Sequence, residues 1–284
     1  MSLNPTSLAE YLMYTTVKIN THNSRGMMTG SGTGFYFDYV AEDGRTMPLI
    51  ATNRHVLEGE WGNSFKVHTG TLKDGQHVPL GVSEDVILGD IQKHWVFHPD
   101  PMVDLAILPF LPVSESLSKR GMSVYRKAFT QSNIPSKEAL NNLLPNEEIL
   151  MVGYPTGLWD KVNNYPFFRR GITATHPAVE FMGKKEFAID MAVYHGSSGS
   201  PVVVCNQSFF PAKDGSLQAG NRLLFLGILH SGAVRSTKGR MVQSPVPTSV
   251  NEDLVFDQMV HIGYVVQASE LLELAKSLAA RIPS

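Results

Sequence analysis

The sequence contains little cysteine, little charge and no long apolar run. Cys205 is the single cysteine among 284 residues, which excludes an intramolecular disulfide and favours a reducing, intracellular setting. No stretch approaches the roughly 18 consecutive apolar residues of a membrane span. The N-terminus lacks a basic segment followed by an apolar one, so no export signal is visible. We therefore expect a cytoplasmic protein that does not bind a membrane.

Nucleic-acid, metal and cofactor sites are not indicated either. The formal net charge is −2 and basic residues do not form runs, which gives no general attraction to nucleic acid. The histidines form no His-x-x-x-His pair on a predicted helix, and one cysteine cannot build a thiolate cluster, so we expect no metal site. The glycines from Gly30 to Gly34 precede no Lys-Ser or Lys-Thr pair, so we expect no phosphate-binding loop and no cofactor.

A serine between two glycines is the strongest chemical signal in the chain. Ser198 lies in the segment 194–201, with Gly196 and Gly199 on either side and the apolar run 202–204 directly behind it. Because glycine tolerates positive φ, such a turn can aim backbone N–H groups at one point. We therefore predict that Ser198 is a nucleophile and that the N–H groups of Gly196 and Ser198 form an oxyanion hole. The alternative is a plain turn serine.

A serine nucleophile needs a general base, which a third group must orient. His55 follows a short polar turn at the end of an apolar run, which places it at the end of a buried strand. Asp104 opens the apolar segment 105–108, where a carboxylate is costly to bury without a hydrogen-bond donor. Taken singly, His55 could be a strand-end residue and Asp104 a turn or cap residue. Asp100 is an alternative acid, but the prolines around it favour a surface turn, so Asp104 is preferred.

The order His55, Asp104, Ser198 differs from the orders found in the α/β-hydrolases and the subtilisins. With its flanking motifs, it resembles that of the trypsin-like serine peptidases with the chymotrypsin fold, in particular their bacterial single-chain members. The resemblance spans about residues 15–265. Its further motifs are Ser-Gly-Thr-Gly-Phe at 31–35, Thr-Asn-Arg-His at 52–55, Asp-Leu-Ala-Ile at 104–107 and Gly-Tyr-Pro at 153–155.

The resemblance implies an all-β protein with two six-stranded antiparallel β-barrels and a C-terminal helix. Short apolar runs between turn clusters in residues 35–111 are typical of an antiparallel barrel or sandwich. Residues 268–280 carry apolar groups at helical spacing, which predicts the terminal helix. We expect an N-terminal barrel in 1–120, a connection with a helix in 121–147, and a C-terminal barrel with the terminal helix in 148–284.

The resemblance also implies positions for substrate binding. Ala192 has the place of the residue at the base of the pocket that receives the side chain before the scissile bond, and it offers no carboxylate to a Lys or Arg side chain. Gly232 would leave room for the incoming side chain. For His230 two hypotheses stand, a role in the specificity pocket and packing beneath the triad.

The function implied by the resemblance is that of a serine endopeptidase, a hydrolase that acts on protein or peptide substrates through an acyl-enzyme. Two other functions are compatible with the same residues. One is a catalytically silent peptide-binding module of this fold, and the other is an esterase that uses the same triad. The natural substrate and the oligomeric state are not indicated by the sequence.

Overall fold

The computed structural model describes residues 3–155, 159–240 and 253–281 of the chain. Its elements are mostly antiparallel strands, as the short apolar runs predict. The helices of the described residues are α1 (Leu8–Leu12), α2 (Arg54–Leu57), α3 (Ile91–His94), α4 (Leu111–Lys119), α5 (Lys137–Asn141) and α6 (Ala268–Ala279). No helix in these ranges is both long enough and apolar enough to cross a membrane.

Nine strands of the described residues form the N-terminal sheet. Seven of them follow the order β5-β4-β1-β2-β3-β7-β6, while β8 pairs with β4 and β9 pairs with β2. The strands are β1 (Thr16–His22), β2 (Met28–Val40), β3 (Thr46–Thr52), β4 (Gly62–Lys73), β5 (Gln76–Gly89), β6 (Val96–Phe97), β7 (Ala106–Pro109), β8 (Ser123–Val124) and β9 (Phe129–Thr130).

The C-terminal half forms a closed barrel in the order β10-β11-β12-β17-β16-β13, and every neighbouring pair is antiparallel. A separate two-stranded hairpin, β14 with β15, projects between β13 and β16. The strands are β10 (Glu148–Gly153), β11 (Phe167–Thr173), β12 (Glu186–Asp190), β13 (Pro201–Asn206), β14 (Phe209–Pro211), β15 (Leu217–Ala219), β16 (Arg222–Arg240) and β17 (Asp253–Gln267).

The expectation of two closed six-stranded barrels is therefore met only in the C-terminal half. Among the described residues the N-terminal sheet is open, since its edge strands β5 and β6 do not pair with each other. β6 has only two residues, and Pro99 and Pro101 follow it closely. Proline has no backbone N–H to donate to a neighbouring strand, so the chain leaves the sheet at this point.

Three segments differ from what their local sequence predicts. The polar residues 112–120 predict a connection, but they belong mostly to α4. The Pro, Gly, Asn and aromatic content of residues 154–170 predicts an exposed loop, but β11 already begins at Phe167. Residues 236–253 show no periodicity, which predicts a surface loop; residues 241–252 lie outside the described residues, while β16 and β17 pair up to Arg240 and from Asp253.

One apolar cluster of the described residues joins the sheet and the barrel, beside a cluster within each of them. Phe35 of β2, Phe129 of β9 and Phe225 of β16 are fully buried, with ring centroids 5.1 to 5.9 Å apart. Aromatic pairs at such distances contribute about 0.5–1.5 kcal/mol each beyond their buried area. The C-terminal helix α6 adds its buried leucines Leu271 and Leu274 to the same cluster, as the helical spacing predicts. This core fixes the two halves against each other, and the candidate site lies where they meet.

Candidate active site

His55 lies on the first turn of a short helix at the end of a buried strand. The apolar strand β3 ends at Thr52, Asn53 is the N-cap residue, and α2 begins at Arg54. The Asn53 side chain donates a 2.8 Å hydrogen bond to the backbone carbonyl of Asp104. Asn53 thus ties the histidine turn to the chain segment that carries the aspartate. The His55 side chain remains 48% exposed, so a substrate can reach its ring.

Asp104 binds His55 through both carboxylate oxygens. Its Oδ1 accepts a hydrogen bond from the backbone N–H of His55 at 2.9 Å, and its Oδ2 lies 2.5 Å from Nδ1 of the imidazole. Burial alone would raise the pKa of Asp104, but the hydrogen bonds and charge of His55 outweigh it and hold this pKa below its ordinary value. The carboxylate is therefore ionised at neutral pH and can orient the imidazole.

The alternative acid, Asp100, has a different role in the structure. Its Oδ1 accepts a hydrogen bond from the backbone N–H of Met102 at 2.9 Å, which is the geometry of an Asx turn. In the described part of the chain, Asp100 makes no hydrogen bond to His55. The surface turn expected from its flanking prolines is what the structure contains.

The Ser198 loop is shaped by two glycines and held by Thr33. Gly196 and Gly199 have φ values of 83° and 85°, a region that favours glycine. The Thr33 backbone N–H donates to the Ser198 carbonyl at 2.8 Å, and the Thr33 hydroxyl donates to the Gly196 carbonyl at 2.9 Å. A side chain at position 199 would place its Cβ 1.9 Å from the Thr33 carbonyl oxygen. The backbone of this loop is therefore tightly fixed.

The N–H groups predicted to form the oxyanion hole remain available among the described residues. The N–H of Ser197 donates to the Tyr194 carbonyl, and that of Gly199 donates to the Leu229 carbonyl. Within residues 3–155, 159–240 and 253–281, the N–H groups of Gly196 and Ser198 have no acceptor. A pair of free N–H donors beside a serine hydroxyl is what an oxyanion hole requires.

His55 and Ser198 line the same cleft, together with Gly196 and His195. In the structure His55 is hydrogen-bonded to Asp104, but Ser198 is not hydrogen-bonded to His55. The Ser198 hydroxyl instead makes a long 3.4 Å contact with the backbone carbonyl of His230. A rotation about χ1 moves this hydroxyl, and nucleophile–base hydrogen bonds are often long or absent before substrate binds.

Comparison with known protein families identifies the family of the chain. The sequence model of the trypsin-like peptidase domain matches residues 32–209, more than half of the chain. The chain belongs to the family of trypsin-like peptidase domains. The enzyme class expected from the sequence, a trypsin-like serine peptidase, is thereby confirmed. No curated protein matches the chain.

Solved structures similar to the peptidase include proteases from two organisms. The active form of the Rv3671c protease from M. tuberculosis has 16% identity and a TM-score of 0.47, with coverage of 100% of this chain and 93% of that chain. The inactive form of that protease has 16% identity and a TM-score of 0.41, with coverage of 93% and 89%. The scabies mite inactivated protease paralogue S-I1 has 10% identity and a TM-score of 0.45, with 99% of each chain covered. At these values the likeness assigns no role to any residue.

The residues predicted to bind substrate lie between β12 and the Ser198 loop, where Ala192 is found, and on β16. Ala192 accepts a 3.2 Å hydrogen bond from the Arg169 guanidinium through its backbone carbonyl. Gly232 pairs with Gly263 of β17, so the backbones of two strands meet there without side chains between them. His230 points its ring towards Asp104 and Glu186. These substrate-binding roles stay predictions.

Three further residues contact parts of the candidate site, and the sequence assigned a role to none of them, although Thr33 lies in the motif at 31–35. Thr33, besides holding the Ser198 loop, accepts hydrogen bonds from the Thr52 hydroxyl and from the backbone N–H of Tyr154. It therefore connects the histidine strand, the serine loop and the barrel. The other two are Arg169, beside Ala192, and Glu186, beside His230. Only contacts between segments far apart in the chain identify them.

Proposed function

We propose that the peptidase is an endopeptidase that hydrolyses peptide bonds through Ser198, His55 and Asp104. The observation that carries this proposal is that His55, which is hydrogen-bonded to Asp104, lines the same cleft as Ser198. In the proposed reaction, Ser198 Oγ bonds to the carbonyl carbon of the substrate and its proton moves to His55 Nε2. Asp104 accepts the hydrogen bond from His55 Nδ1 and stabilises the imidazolium that forms.

The carbonyl oxygen of the substrate becomes negatively charged in this step. The free N–H groups of Gly196 and Ser198 are the proposed donors to this oxygen. Protonated His55 then gives its proton to the leaving amine, which breaks the C–N bond and leaves an acyl group on Ser198. Water attacks the acyl-enzyme with His55 as the base, which releases the acid and restores the serine.

We also propose the division of the chain at 1–120, 121–147 and 148–284, with Ser198 in the last part and His55 and Asp104 in the first.

The test is cleavage of a denatured proteome by the purified protein, read by mass spectrometry of the new N-termini. We expect internal cleavages that phenylmethylsulfonyl fluoride or a fluorophosphonate abolishes. Hydrolysis of p-nitrophenyl acetate without any peptide cleavage would favour the esterase instead. If the protein binds peptides but reacts neither with ester nor with fluorophosphonate, it is the silent binding module and the proposal is wrong.

We also expect few cleavages after Lys or Arg. The Arg169 guanidinium lies beside Ala192 and 4.8 Å from the Tyr194 ring centroid, and among the described residues no carboxylate pairs with it. A positively charged substrate side chain entering the pocket proposed at Ala192 would meet this charge. Because like charges in close contact cost several kcal/mol, cleavage after basic residues is expected to be depleted at least about tenfold relative to their abundance.

The matched variants for this prediction are Arg169→Gln and Arg170→Gln. Arg170 is the next residue of β11, and its side chain is 70% exposed and paired with Glu148. Arg169→Gln is expected to increase cleavage after Lys and Arg several-fold, whereas Arg170→Gln is expected to leave the profile unchanged. Equal profiles for the wild-type protein and Arg169→Gln would mean that Arg169 does not face the substrate side chain.

A further inference from the structure

His230 is aimed into the protein by a β-bulge. Its neighbours Leu229 and Ser231 pair with the adjacent residues Val265 and Tyr264 of β17, so His230 is the extra residue between them. A bulge redirects the side chain that it contains, and bulges are common beside active sites. Here the His230 side chain is only 16% exposed, and its own carbonyl is the acceptor nearest to the Ser198 hydroxyl.

The His230 ring lies between two carboxylates. Its Nδ1 is 3.9 Å from Asp104 Oδ2, and its Nε2 is 3.4 Å from Glu186 Oε1. Asp104 Oδ2 is the same oxygen that lies 2.5 Å from the His55 ring. Two imidazoles therefore flank one carboxylate oxygen, and only one of them is within hydrogen-bond distance of it.

Glu186 needs a donor at this place. Its side chain is 12% exposed, and in the ranges that the structure describes the basic nitrogen next to it is His230 Nε2, at 3.4 Å, which is buried and makes no hydrogen bond to another group. A carboxylate accepts hydrogen bonds only, and burying it without a donor is costly. A neutral imidazole has one N–H, so a proton on His230 Nε2 serves Glu186 and leaves Nδ1 without a hydrogen. Nδ1 then does not compete with His55 for Asp104 Oδ2.

The charged groups around His230 come from several elements. Glu186 faces it from β12, Asp104 from the segment before β7 and His55 from α2, and Lys184 lines the same pocket from the loop before β12. Burial has the largest effect and lowers the pKa of His230 below its ordinary value, although the charges of Glu186 and Asp104 oppose this effect. The His230 ring is therefore mostly neutral at neutral pH.

We propose that Glu186 and His230 are positioning residues that extend the triad. Glu186 keeps the His230 proton on Nε2, so His230 does not donate to Asp104 Oδ2, and this oxygen remains the hydrogen-bond acceptor of His55. This inference rests on the proposed function. It predicts that a change at Glu186 alters turnover through His230 and without a direct contact between Glu186 and the substrate.

The kinetic test is a double-mutant cycle of Glu186→Gln and His230→Gln. Without the Glu186 charge, the His230 proton can move to Nδ1 and compete for Asp104 Oδ2, so kcat is expected to fall about tenfold while KM changes less than about twofold. In the His230→Gln background the same change at Glu186 is expected to alter kcat less than about twofold. The exposed Glu180, in the neighbouring loop, gives the control Glu180→Gln, which is expected to behave as the wild-type protein.

A spectroscopic test needs no activity. Long-range ¹⁵N–¹H NMR spectra of the imidazoles are expected to locate the His230 proton on Nε2 in the wild-type protein at neutral pH. Glu186→Gln is expected to increase the Nδ1-protonated form and to lower the titration midpoint of His230 by about one pH unit, because an opposite charge has been removed. Glu180→Gln is expected to change neither. If His230→Gln does not fold, this measurement on Glu186→Gln decides the matter alone.

Three results would overturn the proposal. One is a wild-type His230 protonated on Nδ1, and another is an equal loss of kcat from Glu186→Gln with and without His230. A change in KM alone would also contradict it, since it would make Glu186 part of a binding surface. A wild-type protein that hydrolyses nothing and does not react with a fluorophosphonate would refute the proposed function instead, while the NMR result would still stand or fall by itself.

Discussion

Ser198→Ala is expected to abolish labelling of the peptidase by a fluorophosphonate and to lower kcat by about 10⁶-fold. The hydroxyl is the proposed atom that bonds to phosphorus in the inhibitor and to the carbonyl carbon in the substrate. The free N–H groups of Gly196 and Ser198 remain in the variant, so a residual acceleration of about 10³-fold over the uncatalysed reaction is expected. Intact-mass spectrometry measures the labelling, and hydrolysis of a cleaved peptide measures kcat.

The control is the adjacent serine. The Ser197 hydroxyl is buried and, among the described residues, has no hydrogen-bond partner, so Ser197→Ala removes no hydrogen bond seen in the structure. This variant is expected to be labelled as the wild-type protein is, with the label mapped to Ser198 after digestion. Labelling that persists in Ser198→Ala, at any serine, would refute the assignment of the nucleophile.

The members of the site that the sequence predicts are those whose motif is local. Ser198 lies between two glycines that the structure finds at positive φ. His55 follows strand β3, which can be recognised from its own apolar residues alone. Asp104 could be preferred over Asp100 because prolines next to an aspartate favour a turn. Each of these arguments uses fewer than about ten consecutive residues, and none requires knowledge of what packs against them.

Glu186 and Arg169 illustrate what a single sequence does not contain. Arg169 lies within β11 and Glu186 begins β12, and a charged residue in a strand is ordinarily a solvent-facing one. Their partners, His230 and Ala192, are more than twenty residues away, and the contacts depend on strand register and on the bulge at His230. Register is set by the whole sheet, so only the assembled barrel brings these side chains together.

In the fold, too, the features that depend on local sequence could be predicted, and those that depend on distant pairing could not. Antiparallel strands and the terminal helix follow from local periodicity, and both are present. Closure of the N-terminal sheet depends on whether two distant edge strands pair, which periodicity does not report. The short strand β6 and the prolines after it end the pairing at one edge, and the sheet stays open.

Asp104→Asn is expected to lower kcat by about 10⁴-fold while the fold is retained. The Asn side chain has nearly the same shape, but its amide group can donate to His55 Nδ1 where the carboxylate only accepts. The imidazole would then carry its proton on Nε2, the nitrogen that must take the proton of Ser198. Hydrolysis of a cleaved peptide gives kcat, and circular dichroism reports whether the variant is folded.

The matched control is Asp100→Asn, a change of the other candidate acid. Asp100 accepts a backbone hydrogen bond within its own turn, and Asn accepts the same bond, so kcat is expected to stay within about twofold of the wild-type value. A large loss in Asp100→Asn with little loss in Asp104→Asn would exchange the roles of the two residues.

Asp104→Asn also has a consequence for stability. Because the pKa of Asp104 is lower in the folded protein than in the unfolded chain, its carboxylate stabilises the fold above the unfolded pKa. That contribution is lost as the pH falls through the folded pKa, where the carboxylate takes up a proton. The difference in melting temperature between the wild-type protein and Asp104→Asn is therefore expected to be largest near neutral pH and to shrink in acid. A difference that grows in acid would mean that Asp104 is not held in its ionised form by His55.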